Sequence, residues 1–112
     1  MNLADKAKSL GFEEVEFREM LQLFVETCLS DLERLQGAID RKQSQMAAAA
    51  AHSMKGAARS FGLDELARKA EIIELEASGN DLHHCGDIAA AIRLEIDEIL
   101  QLLQTSDSVD EA

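Results

Sequence analysis

His52, Lys55 and Arg59 stand one and two helical turns apart in the run Ala-His-Ser-Met-Lys-Gly-Ala-Ala-Arg-Ser-Phe-Gly, residues 51–62. At about 100° per residue, an α-helix brings these three side chains to one face. Ala48, Ala49 and Gly56 fall on the same face and are expected to leave the imidazole unshielded. Imidazole has an unperturbed pKa of about 6.5, so near neutral pH its neutral form offers a nucleophilic nitrogen. A nucleophile beside two cations, on an otherwise bare face, suits an anionic group that must come close, and a phosphoryl group fits best. Lys55 would offset charge on phosphoryl oxygens. Arg59 has two readings, a similar role or partner steering on one side and a solvated surface charge on the other. Gly56 costs a helix up to about 1 kcal/mol relative to alanine, so its presence wants a reason, and close approach by a partner is one.

Positioning this face takes helices. The chain has 112 residues, no proline, 4 % aromatics and 46 % hydrophobic residues, a mixture that favours helix and supports one modest core. Residues 3–10 predict a short helix stopped by Gly11, and a long one follows over about residues 13–40. Its apolar stripe is Phe17, Leu21, Phe24, Cys28, Leu32, Leu35 and Ile39, spaced three and four apart. The His52 helix starts near Gln43 or Ser44, turns Ala47, Ala50, Met54, Ala57, Ala58 and Phe61 inward, and ends at Gly62. The next runs from Asp64 to about Ala77 on Leu63, Leu66, Ala67, Ala70, Ile73 and Ala77. Ser-Gly-Asn at residues 78–80 breaks it, and a last helix is expected from near Asp81 through Ile88, Ile92, Ile96, Ile99 and Leu103. The expected fold is all-α: an antiparallel up-down four-helix bundle with a short extra N-terminal helix. One domain is expected over residues 1–104, with a disordered acidic tail over residues 105–112.

A formal net charge of −11 argues against nucleic acid and against anionic membrane as partners. No secretory signal or bilayer-length apolar run is visible, which points to the cytoplasm. Cys28 and Cys85 are too few for a disulfide framework and read as buried thiols. Met1 and the compact length favour a free-standing protein. No metal site is expected: His83, His84 and Cys85 are consecutive and point apart, whereas helical ligands recur at i+3 or i+4. No Gly-rich nucleotide loop is present, so the chain is read as a carrier without kinase or phosphatase machinery of its own.

The pattern His52-x-x-Lys55-Gly56, then Gly62, resembles the histidine-containing phosphotransfer (HPt) family. Ala51, Ala57, Ala58, Phe61, Leu66 and the pair Ile73-Glu74 extend the resemblance, and Met54 stands where leucine is usual. The resemblance implies a four-helix module in which His52 takes a phosphoryl group on Nε2 from a receiver-domain aspartate, or from a kinase, and passes it to another response regulator. It makes receiver domains and a histidine kinase the partners, puts Mg²⁺ in the receiver, and implies a monomer. Glu74 falls where some family members hydrogen-bond the second imidazole nitrogen; an exposed helical glutamate is the other reading. Gln45 is a weaker candidate for the same polar shell. Ala48, Ala49, Lys55, Gly56 and Arg59 are expected to touch the receiver, with Leu10, Phe12 and Val15 adding apolar contact if the first helix lies alongside. The rival reading is a helical adaptor that binds signalling partners and is never phosphorylated.

Overall fold

In the computed structural model, α1 spans Leu3–Leu10, α2 Glu14–Asp40, α3 Ser44–Ser60, α4 Asp64–Ser78 and α5 Cys85–Glu111. The structure describes the backbone of residues 1–111 and the side chains of residues 1–104. The tail expected over residues 105–112 lies outside the residues whose side chains are described.

Each long helix packs on the next, and α5 closes back on α2. Contacts along the seams show that neighbours run antiparallel. Phe24 meets Phe61 with ring centroids 5.1 Å apart, while Asp31 further along α2 meets Ser53 earlier on α3. His52 meets Glu74, and Arg59 meets Glu71, across α3 and α4. Lys69 and Glu95 form an ion pair between α4 and α5. Arg18 Nη1 donates to the Leu103 carbonyl at 3.2 Å between α2 and α5.

The core follows the apolar stripes. Phe17, Leu21, Leu35, Met54, Leu66, Ile73, Ile92 and Ile96 are fully buried, each contributing roughly 1.5–3 kcal/mol against exposure. Alanines Ala47, Ala50, Ala51 and Ala58 give α3 a smooth inner surface that lets α2 and α4 approach closely. Ile39, Ala57, Phe61 and Ile88 are only partly buried at the core's margin.

The helix ends have local causes. Asn2 Oδ1 accepts from the Asp5 N–H at 3.0 Å and caps α1. Gly11, at φ 83°, closes it in the left-handed conformation that glycine adopts without penalty. Gly62 (φ 66°) turns the chain out of α3, and its carbonyl accepts from Lys6 Nζ at 2.8 Å, tying α1 to the α3–α4 turn. The last helix starts at Cys85 rather than near Asp81. Asp81 Oδ1 accepts from the His83 N–H at 3.0 Å, a side-chain turn that delays the helix.

Candidate functional site

The site is built on the middle of α3. Met54 and Ala58 lock one side of this helix into the core, so His52, two residues before Met54, projects outward. Its side chain is 69 % exposed. Glu74 reaches across from α4, with Oε2 lying 2.8 Å from His52 Nδ1. A carboxylate only accepts, so Nδ1 carries the proton and donates it to Glu74. In the neutral ring the lone pair then sits on Nε2, away from α4. The ring is thereby oriented, and one defined nitrogen is left without a partner from Glu74.

The other Glu74 oxygen is held by Lys55. Nζ lies 2.6 Å from Oε1, and the Lys55 side chain is only 15 % exposed. Glu74 therefore serves two donors on α3, spaced three residues apart. The Lys55 hydrogen bond is the largest influence holding its carboxyl below the usual range; burial opposes it, and His52 adds to the lowering. Lys55 thus lies beside the imidazole with its charge already matched, rather than standing free.

Other expected site residues are placed unevenly. Gly56 is exposed, and a Cβ built there meets nothing within 4 Å, so the surface one turn beyond His52 is open. Ala49 is exposed. Ala48 is not on the open face: it is 8 % exposed and belongs to the core cluster. Arg59 pairs with Glu71 of α4 at 3.4 Å and makes no hydrogen bond to His52. Gln45 is exposed and has no hydrogen-bond partner among the described residues, so it forms no polar shell around the ring. Leu10 and Phe12 are partly buried against the core, and Val15 is exposed.

A second polar group escaped the sequence reading. Asp31 on α2 is 3 % exposed, the buried charged side chain among the described residues. Oδ2 accepts from Ser53 Oγ at 2.9 Å, and Oδ1 accepts from Arg34 Nη1 at 3.1 Å. Ser53 directly follows His52, so α3 is pinned to α2 on one flank of the imidazole and to α4 on the other. The available signal was position: Asp31 falls three residues after Cys28 and four before Leu35, inside the apolar stripe.

Cys28 and Cys85 are free and buried. Burial, with Asp31 nearby, pushes the Cys28 thiol up to about 12. Among the described residues no group of three His, Cys, Asp or Glu could hold a metal ion, and no helix is long and apolar enough to cross a membrane. His83 and His84 meet edge to face with ring centroids 4.6 Å apart.

The described residues thus form a helical bundle that presents an exposed, oriented imidazole on one long helix. The Hpt domain model matches residues 19–102, and the chain belongs to that family. Its members are phosphocarriers, the histidine phosphotransfer intermediates of phosphorelays, working with receiver domains and kinases. The fold is also that of a solved structure, the crystal structure of histidine-containing phosphotransfer protein B (HptB) from Pseudomonas aeruginosa PAO1. That match has a TM-score of 0.80 and 23 % identity, covering 90 % of this chain and 88 % of that one. No curated protein matches the sequence significantly.

Proposed function

We propose that His52 is the residue that carries the phosphoryl group. The observation behind this reading is the 2.8 Å contact between His52 Nδ1 and Glu74, which in the neutral ring puts the lone pair on Nε2, on an exposed face. Nε2 attacks the phosphorus of a receiver aspartyl-phosphate. The N–P bond forms as the P–O bond breaks, and the electron pair returns to the aspartate carboxylate. The Nδ1 proton stays on the ring, held by Glu74. Onward transfer reverses these changes on a second receiver.

Glu74 is the positioning residue in this scheme. Lys55 supplies positive charge beside the ring, shared between Glu74 and the incoming phosphoryl oxygens. Gly56 and Ala49 give the partner clearance. Arg59 stands at the margin, its guanidinium shared with Glu71. We place Mg²⁺ in the receiver, because the carboxylate beside His52 is already engaged by Lys55 and the imidazole. The chain supplies no kinase or phosphatase chemistry in this reading and works as a cytoplasmic monomer, in keeping with two free, buried thiols.

Incubation with a phosphorylated receiver domain tests the assignment. Wild type takes up label in an acid-labile, base-stable form, and His52→Gln takes up none. Equal labelling of His52→Gln overturns the choice of residue. An acid-stable adduct at Ser53 or Ser60 does the same. No labelling from any of several receivers favours the unphosphorylated adaptor.

A further inference from the structure

We propose that Arg34, anchored by buried Asp31, is a docking residue for the acidic surface of the receiver domain. It brackets His52 on the α2 side as Lys55 and Arg59 bracket it on the α4 side. This rests on the phosphocarrier reading and assigns a role to a residue outside the phosphotransfer motif.

The starting point is the carboxylate of Asp31. Burying a charge is costly unless it is paired and hydrogen-bonded, and a helix interface lined by alanine has no intrinsic need of one. At 3 % exposure, Asp31 is bonded on both oxygens. One bond fixes Ser53, the neighbour of His52. The other fixes the Arg34 guanidinium, while the Arg34 side chain itself stays 62 % exposed. An arginine with one nitrogen tethered and its remaining N–H groups facing water is pre-oriented to donate to a partner carboxylate. An untethered surface arginine would lose more conformational freedom on docking.

The placement suits the face. Arg34 lies one turn beyond Asp31, on the flank of α2 that packs on α3. Two hydrogen bonds, through Asp31, connect it to the residue beside His52. The charge balance gives it work. The chain carries −11, so a receiver bringing an aspartyl-phosphate is repelled by the molecule as a whole. Lys55 and Arg59 are each paired with a carboxylate exposed to some degree on α4, Glu74 and Glu71. Arg34's counter-ion is buried instead, so on this flank the cation faces solvent and the anion does not. That asymmetry makes Arg34 the cation presented to solvent on the α2 side of Ser53, and charge complementarity selects an acidic partner surface.

The test compares Arg34→Gln, which removes the charge and keeps a side-chain N–H donor, with Arg34→Lys and with Arg93→Gln. Arg93 is an exposed arginine on α5, lining the groove between α2 and α5, and its loss changes net charge equally. Transfer from a phosphorylated receiver domain is measured as kcat and KM at low and moderate salt, with helicity checked by circular dichroism. Arg34→Gln should raise KM about tenfold at low salt with kcat unchanged within twofold, and the difference should shrink as salt rises. Arg34→Lys should recover part of the loss, and Arg93→Gln should move KM less than twofold. Equal effects of Arg34→Gln and Arg93→Gln overturn the proposal, since net charge alone then explains them. A fall in kcat without a change in KM also overturns it, reducing Arg34 to a support for α3. If the wild type takes no label at all, the phosphocarrier reading fails first; if it takes label and Arg34→Gln matches it, only the docking role fails.

Discussion

Glu74 Oε2 lies 2.8 Å from His52 Nδ1 while Oε1 of the same carboxylate lies 2.6 Å from Lys55 Nζ. One side chain on α4 therefore sets the tautomer of the neutral imidazole and holds a cation on its other oxygen. Hydrogen bonds to charged groups contribute about 1.5–3 kcal/mol, so Glu74→Ala should slow transfer to His52 roughly 10- to 100-fold. Nitrogen-15 NMR of the imidazole should show protonated Nδ1 as the major tautomer of neutral wild type and a lesser share in Glu74→Ala. An unchanged tautomer ratio with an unchanged rate would remove Glu74 from the mechanism.

The same carboxyl predicts a pH dependence of stability. Its folded-state pKa is lowered, chiefly by Lys55. Between the lowered value and the ordinary glutamate range the unfolded chain binds more protons than the folded one, so stability rises with pH there. The contribution is complete above the ordinary range and disappears as pH falls through the lowered value. Urea midpoints of wild type and Glu74→Gln should therefore differ at pH 7 and converge in acid. A gap that persists unchanged at pH 3 would contradict this.

Gly56 separates stability from function. A Cβ there meets open space, and alanine is the better helix former by up to about 1 kcal/mol. Gly56→Ala should raise Tm by a few degrees with little loss of transfer. Gly56→Leu should fold equally well yet slow transfer by about tenfold or more, because a misplacement of about 1 Å at the reacting centre is costly. Thermal melts and transfer time courses on the same samples check both halves.

Cys28 should be inert in the folded protein. The thiolate is the reactive form, and burial pushes this thiol up to about 12. Iodoacetamide at pH 8 should leave Cys28 unmodified in native protein and modify it in urea, with peptide mass spectrometry reading the site. Rapid native labelling would mean that the α2–α3 seam opens.

Much of this architecture was legible in the sequence because the apolar stripes are regular. Phe17 through Leu35 on α2 and Leu66 through Ala77 on α4 repeat at helical spacing, and the glycines at residues 11 and 62 mark where helices stop. The His52–Gly56 spacing marked the outward face, while Lys55 lies mostly buried against Glu74. The alanine run of α3 hid more: with identical side chains all round, periodicity does not separate Ala48, buried in the core cluster, from exposed Ala49. Asp31 was hidden by its type, since a carboxylate in an apolar stripe becomes intelligible only when Ser53 and Arg34 are seen to satisfy it. The α5 start was missed because Asp81 looks like a helix cap and instead closes its own turn on His83. The pairings of Lys55 with Glu74 and of Arg59 with Glu71 depend on how α3 and α4 pack, which no local pattern encodes.

The most direct measurement is phosphorus-31 and nitrogen-15 NMR on the uniformly labelled protein after charging by a phosphorylated receiver. A phosphorus–nitrogen coupling to Nε2 of His52, with the proton retained on Nδ1, is the predicted result. Coupling to Nδ1, or a phosphoryl group on any other residue, would contradict the account.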